Sequence, residues 1–193
     1  MEVRRARASD RPFIRQLTLD TLDQGIPEGR DIPNEVVREA AEQHLGDLDE
    51  MLHNRREVAM LVAVDDKEPI GFLILELRHV EETTGERQTH IYNMGVAASH
   101  LGKFVDRKLV QEAARITHQR GCRYMTGRIT ASNERALMAA LRQGFEVERY
   151  HITMACGPDG PTSMPGRPPD QRGHATARVM RQHHRRKASS VPD

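Results

Sequence analysis

The chain has 193 residues, which suits one domain with appended segments. Its formal net charge is +1, so charge gives no reason to expect a nucleic acid or a membrane surface as a partner. Two cysteines, Cys122 and Cys156, are too few for a disulfide framework or a Cys-rich metal site. We therefore expect a cytoplasmic protein without a metal centre. No apolar run reaches the roughly 18 residues that a membrane-spanning helix needs, so no membrane partner is predicted.

Strand and helix patterns alternate along residues 1–156, which predicts an α/β fold with helices on the faces of a mixed sheet. The predicted elements, in chain order, are strand 2–7, a helix capped by Ser9 or Asp10, loop 25–33, helix 34–56, strands 58–64 and 70–80, strand 89–97, helix 101–119, strand 122–130, a helix capped by Ser132 or Asn133, and a last strand running from Phe145 through Val147 and Arg149 to His151. The strands 58–64 and 70–80 are separated by a short polar turn, which is typical of a hairpin.

Composition changes after Cys156. Residues 157–193 are rich in Gly, Pro, Ser, His and Arg and hold few aliphatic side chains. Such a segment cannot bury enough apolar surface to offset the entropy lost on ordering. We predict a folded domain over 1–156 and a largely disordered basic tail over 157–193, with room for a short helix near 175–186. A basic cluster at 183–187 could contact nucleic acid or acidic partners, but a solvated tail is the favoured interpretation, so nucleic acid is not an expected partner.

A distinctive stretch lies between Ser132 and Phe145. Ser132 or Asn133 supplies helix-capping chemistry, and Gly144 supplies the left-handed residue that commonly ends a helix. Phe145 then opens an alternating apolar run that is typical of a strand. A short helix, a glycine stop and an aromatic-led strand in this order are a recognisable combination.

This combination resembles the end of the GNAT acyltransferase domain, which reads Asn-x-x-Ala, then a Tyr, then Gly-Phe. Asn133 and Ala136 fall on that pattern, as do Gly144 and Phe145, whereas Ala140 occupies the position of the Tyr. The resemblance covers roughly residues 1–156. It implies a mixed, mostly antiparallel central sheet flanked by helices, and acetyl-CoA or another acyl-CoA as co-substrate.

The resemblance also implies where the cofactor lies. In GNAT proteins a strand feeds a loop of the form Arg/Gln-x-x-Gly-x-Gly/Ala, whose backbone N–H groups bind the pyrophosphate at a helix start. Here Leu101, Phe104 and Asp106 occupy the three motif positions and all depart from it, while Gly102 keeps a glycine inside the loop. The residues expected to bind the cofactor are Met94, Gly95, Val96, Leu101, Gly102, Lys103, Phe104, Val105, Asp106, Arg107 and Asn133.

These departures leave two interpretations open: an atypical acyl-CoA site, and a helix start that has lost its cofactor. A Phe side chain obstructs the close approach that Gly allows, and Asp106 repels phosphate. Lys103, Arg107 and Lys108 are the cations that can compensate.

Acyl transfer to an amine needs a base for the nitrogen and an acid for the leaving thiolate. Because Ala140 replaces the Tyr that the resemblance assigns as the acid, another residue has to take that part, and Tyr92 and Glu76 are the candidate catalytic residues. Each has a plain alternative role as a packed or solvated sheet residue. The histidines His79, His90 and His100 lie near predicted loop boundaries, where solvated side chains are the simplest interpretation.

Two functions follow. The first is acyl-CoA-dependent transfer of an acetyl group to a primary amine of a small molecule or peptide. The second is a non-catalytic GNAT-fold module that binds a ligand or partner. The sequence holds no recognisable code for the acceptor, and it leaves the oligomeric state open, with a dimer as one option.

Overall fold

The computed structural model describes residues 1–53 and 57–162. They fall into two compact units, one formed by 1–22 with 34–53 and 57–128, and the other by 23–33 with 129–162. The predicted tail helix and the basic cluster lie outside the described residues. None of the helices in the described ranges is long and apolar enough to cross a membrane.

The first unit holds a five-stranded sheet and three helices. The strands are β1 (Glu2–Arg5), β2 (Val58–Asp65), β3 (Glu68–Val80), β4 (Arg87–Val96) and β5 (Met125–Gly127). The helices are α1 (Arg11–Asp20), α2 (Asn34–His53) and α3 (Val105–Gln119). The spatial order of the strands is β1-β2-β3-β4-β5; all neighbours are antiparallel except β4 and β5, which are parallel. This confirms the mixed, mostly antiparallel sheet and the predicted hairpin of β2 and β3.

Helices cover both faces of this sheet because alternate strand residues point to opposite sides. On one face, Phe72 and Ile74 of β3 pack in a buried cluster with Ile14 and Leu17 of α1. On the other face, α3 lies over β3, and Leu109 of α3 is fully buried. The two faces therefore have separate cores, and β3 lies between them.

Two glycines allow this close packing. A Cβ atom on Gly71 of β3 would lie 2.9 Å from Cγ1 of Val105 in α3. A Cβ atom on Gly95 of β4 would lie 2.8 Å from Cε1 of Phe72 and 3.1 Å from Cγ of Leu17. Real Cβ atoms do not approach other heavy atoms this closely, so both positions require glycine, which has no side chain.

The second unit contains α4 (Glu134–Arg142) and a hairpin of β6 (Ala155–Gly157) and β7 (Gly160–Thr162). As predicted, α4 begins at Asn133, whose Oδ1 accepts a hydrogen bond of 3.0 Å from the Ala136 N–H. The helix ends before Gly144, which has a φ of 96°. Leu137 and Leu141 form a small apolar cluster along the buried side of this helix.

Three predictions about elements need correction. The last strand is wrong: residues 145–154 hold no strand, and the next strands are β6 and β7. The helix predicted from residue 101 begins at Val105, because Gly102 and Phe104 have φ values of 80° and 61°, which a right-handed helix excludes. Of the strand predicted over 122–130, only β5 (Met125–Gly127) forms, and it pairs with β4 at three positions.

Candidate functional site

Strand β4 leaves its neighbour β5 halfway along its length. The parallel pairing joins Thr89 to Met125, His90 to Thr126 and Ile91 to Gly127, and then stops. On the other side, β4 stays paired with β3 as far as Val96. The second half of β4 therefore has an edge that β5 does not occupy, and its backbone groups there can bind an extended ligand.

A β-bulge lies where the two strands part. Leu75 of β3 pairs with Ile91, and Ile74 pairs with Asn93, so Tyr92 is the extra residue of β4. A bulge leaves its extra residue outside the regular ladder and bends the strand.

The loop after β4 consists of tight turns that lead into α3. The Ala97 N–H donates to the Ile70 carbonyl at 2.9 Å, and the His100 N–H donates to the Ala97 carbonyl at 2.8 Å. Phe104 precedes the helix in a left-handed conformation, with φ 61° and ψ 22°. The first four N–H groups of a helix have no partner within it, so this turn presents donors and a positive dipole end to an anion.

The predicted cofactor residues of β4 have different surroundings. Met94 has 37% of its surface exposed and can contact a ligand on the free edge of the strand. Gly95 is buried, and the packing of Phe72 and Leu17 is sufficient reason for a glycine there. Val96 is half-buried and pairs with Gly71.

The predicted cofactor residues of the loop divide into exposed and buried groups. Leu101, Gly102, Lys103, Phe104 and Arg107 are exposed, and Asp106 is half-buried. Val105 is 1% exposed and packs onto β3, so only its backbone could meet a ligand. A Cβ atom at Gly102 would meet nothing within 4 Å, so the loop leaves open space on that side. Within this loop the Leu101 N–H donates to the Ala98 carbonyl at 3.4 Å and the Lys103 N–H donates to the His100 carbonyl at 3.2 Å, so a phosphate bound by the loop backbone stays a prediction.

Asn133 belongs to the second unit, where its Oδ1 caps α4. That contact accounts for the side chain structurally. A role in cofactor binding stays a prediction.

The two candidate catalytic residues have different contacts. Tyr92 is half-buried and packs against the cluster that contains Phe72 and Ile74. Glu76 of β3 pairs directly with His90 of β4, so the two side chains share a face of the sheet. The Glu76 carboxylate lies 3.6 Å from Nδ1 of His79.

Sequence reasoning missed the histidines that surround Glu76. His90 is only 7% exposed, against the expectation of a solvated side chain. Its ring stacks on that of His79, with 4.9 Å between centroids, and its Nδ1 lies 3.0 Å from Oγ1 of Thr126. Burial, together with the charges of His79 and Arg128, lowers the pKa of His90 to about 4. Only the pairing of β4 with β3 and β5 assembles this group, so no local signal identifies it.

In the part of the chain that the structure describes, no cluster of three or more His, Cys, Asp or Glu side chains is arranged to hold a metal ion. The site offers backbone donors, exposed cations, the carboxylates of Glu76 and Asp106, the phenol of Tyr92, and the imidazoles of His79 and His90.

The sequence profile of the Acetyltransferase (GNAT) family matches residues 26–145. The chain belongs to this family. The match extends from the loop before α2 to the residue after the glycine stop of α4 and so includes the bulged strand and the loop before α3. Comparison with curated protein sequences finds no match.

Solved GNAT structures share the fold at low sequence identity. The aminoglycoside 6'-N-acetyltransferase AAC(6')-IG from Acinetobacter haemolyticus is 15% identical with a TM-score of 0.59, covering 81% of this chain and 99% of its own. The aminoglycoside N-acetyltransferase AAC(6')-Iy, solved with CoA, is 18% identical with a TM-score of 0.59, covering 80% and 98%. A ribosomal-protein-alanine N-acetyltransferase from Brucella melitensis biovar Abortus 2308 is 17% identical with a TM-score of 0.56, covering 80% and 99%. These similarities establish the GNAT fold and no particular acceptor.

Proposed function

We propose that the protein is an acyl-CoA-dependent N-acyltransferase that transfers an acetyl group to a primary amine of a small molecule or peptide. The observation that carries this proposal is the path of β4. The strand bulges at Tyr92, separates from β5 after Ile91 and continues into the loop before α3. Family membership supports the same conclusion.

In the proposed complex, the pantetheine arm of the co-substrate lies along the free edge of β4, beside Met94 and Val96. Its pyrophosphate meets the backbone of residues 101–106, with Lys103 and Arg107 as exposed cations. Asp106 opposes this charge. We expect the backbone to supply most of the recognition, because Leu101 and Phe104 have no group that binds phosphate.

The proposed chemistry begins with the acceptor nitrogen attacking the thioester carbon. A backbone N–H near the bulge stabilises the carbonyl oxygen, and Glu76 and Tyr92 are candidates for moving protons. The Ala140 side chain cannot protonate the leaving thiolate. A thiol has a pKa of about 8.5, so a thiolate is a tolerable leaving group, and the loss of an acid slows transfer by about 10²–10⁴-fold without forbidding it.

Two measurements test this function. Acetyl-CoA at 100 times its dissociation constant stabilises a binding protein by about 2.7 kcal/mol, which a thermal-shift assay detects. Thiol release from acetyl-CoA with a panel of amines and peptides then reports slow transfer, and Ala140→Tyr accelerates it. Fast transfer by the native chain would contradict the expectation that Ala140 in place of the Tyr slows the reaction. Absence of both acetyl-CoA binding and thiol release would refute the proposal.

The second candidate function is a non-catalytic GNAT-fold module that binds a ligand or partner. The residues that favour it are the three that depart from the phosphate motif, together with Ala140. Stabilisation by CoA without thiol release in any acceptor mixture is the result that this function predicts.

We also propose a cytoplasmic location and a folded domain over 1–156 that does not need residues 157–193, even though this boundary divides the hairpin of β6 and β7. Limited proteolysis is expected to remove the tail and leave a core with an unchanged melting temperature. A core that unfolds after trimming would contradict this division.

A further inference from the structure

The His79–His90 pair lies beside the point where β4 and β5 separate. His90 is paired with Thr126 on β5, one residue before the last paired position, and two residues before the bulge at Tyr92. Glu76 lies directly opposite His90 on β3. The two imidazoles and the carboxylate therefore occupy one face of the sheet at the end of the paired segment.

The hydrogen bonds of Thr126 favour one tautomer of the neutral His90 ring. The Thr126 hydroxyl donates to the Thr89 carbonyl at 3.4 Å, so its oxygen is left to accept from Nδ1 of His90 at 3.0 Å. We therefore assign the proton of a neutral His90 to Nδ1 and the lone pair to Nε2.

The surroundings keep this imidazole neutral and make its protonated form a stronger acid than an ordinary imidazolium ion. Burial is the largest cause of the lowered pKa of His90, followed by the charges of His79 on β3 and Arg128 after β5. Glu76 is the facing carboxylate, and it lies 3.6 Å from His79. An imidazole that stays neutral at pH 7 can accept a proton for a short time and then release it to a more basic atom.

We infer that His90 carries the proton from the acceptor nitrogen to the departing CoA sulfur. The inference rests on the proposed function and supplies the acid that Ala140 does not. His79 is a positioning residue, since it covers one face of the His90 ring and holds it against β5.

A primary amine is an ammonium ion at neutral pH and first loses one proton to solvent; from the neutral amine onward, the proton and electron balance is complete without another reactant. Nε2 of His90 accepts the N–H proton as the nitrogen lone pair forms the bond to the carbonyl carbon. The carbon–sulfur bond breaks, and the sulfur leaves with its electron pair. The imidazolium then returns the same proton to the sulfur, whose thiol has a pKa of about 8.5 and is therefore the stronger base.

Substitution separates this role from folding and binding. His90→Gln is expected to lower kcat by about 10²-fold, within the range typical of acid–base groups, while the dissociation constant for acetyl-CoA measured by calorimetry stays within about twofold. His118→Gln, at an exposed position near the end of α3, is the matched control and keeps the native rate. In His90→Ala, added imidazole should restore part of the rate, which a purely structural role would not allow.

Thr126→Val provides a milder test if the His90 variants fail to fold. It removes the oxygen that fixes the ring and should lower kcat by about tenfold with unchanged acetyl-CoA affinity. Nitrogen-15 NMR of the native protein tests the tautomer independently of activity, and it should find the proton of His90 on Nδ1 near pH 7.

The outcomes distinguish the two proposals. Equal rates for the native protein and His90→Gln, or a proton on Nε2, would overturn the role of His90 and leave the acyltransferase proposal standing. No binding of acetyl-CoA by the native chain would overturn both.

Discussion

Both terminal nitrogens of the Arg4 guanidinium donate to the carboxylate of Asp10, at 2.7 and 2.9 Å. The same carboxylate accepts the backbone N–H of Arg7 at 2.7 Å. Asp10 is buried, and these contacts join β1 to the start of α1. The hydrogen bond from Arg4 is the main reason that the pKa of Asp10 is below its usual range. This ion pair thus holds together the two elements that open the fold.

We predict that Asp10→Asn lowers the free energy of unfolding by about 2 kcal/mol, because it leaves the half-buried Arg4 guanidinium without its buried anionic partner. Glu42→Gln, which interrupts the exposed ion pair with Arg15, is the matched control and should cost less than about 1 kcal/mol. Urea denaturation of both variants measures the difference. Equal losses would show that burial does not distinguish the two pairs.

The lowered pKa of His90 predicts a specific pH dependence of stability. The ordinary value near 6.5 falls to about 4 in the fold, so between these limits the unfolded chain binds a proton that the folded chain does not. Stability is therefore complete above pH 6.5 and decreases as the pH falls towards 4, by up to about 3 kcal/mol. His90→Gln should flatten this part of the curve, and His118→Gln should not. An unchanged slope in His90→Gln would contradict the assignment.

Asp10 contributes in a lower pH range. Its folded pKa is depressed, so its stabilisation is present above the unfolded value of about 3.9 and is lost as the pH falls through the folded value. The effects of His90 and Asp10 are separable because one acts mainly above about pH 4 and the other below it.

Phe104 is held in a left-handed conformation although 66% of its surface is exposed. A residue with a Cβ atom pays about 1–2 kcal/mol for this conformation, and glycine does not. We predict that Phe104→Gly is more stable than Phe104→Ala by about 0.5–1 kcal/mol, since both lose the same ring and only glycine relieves the backbone. Thermal unfolding compares the two variants, and a more stable Phe104→Ala would refute the prediction.

Asp106 lies in the first turn of α3, where it favours the helix dipole but opposes a bound phosphate. We predict that Asp106→Ala tightens acetyl-CoA binding by about two- to fivefold in calorimetry. Glu39→Ala, at an exposed position of α2, should leave the affinity unchanged. Weaker or equal binding by a folded Asp106→Ala would argue against placing the pyrophosphate at this turn.

Local chemistry was enough to predict α4. Its start depends on one side chain, Asn133, and its end on one flexible residue, Gly144; both signals act within a few positions of the chain. The hairpin of β2 and β3 was equally accessible, because its turn and its strands are adjacent in sequence.

Other features depend on distant partners. The alternating pattern after Phe145 predicted a strand, but Tyr150 and Ile152 are 71% and 88% exposed, and residues 145–154 hold no strand. Alternation defines a face and does not supply a neighbouring strand to pair with. The burial of His90 and its contact with Thr126 arise from pairing across 36 residues, which no local pattern contains.

The loop before α3 is anchored by packing that does not involve its own sequence. At one end Gly95 fits against Phe72, and at the other Val105 fits against Gly71. Residues 101–104 can therefore be replaced by side chains of different size and charge, because the core holds both ends of the loop in place. Such an arrangement tolerates substitutions that depart from the phosphate-binding motif. It also permits the reverse experiment, in which a glycine-containing segment from another family member replaces residues 101–104.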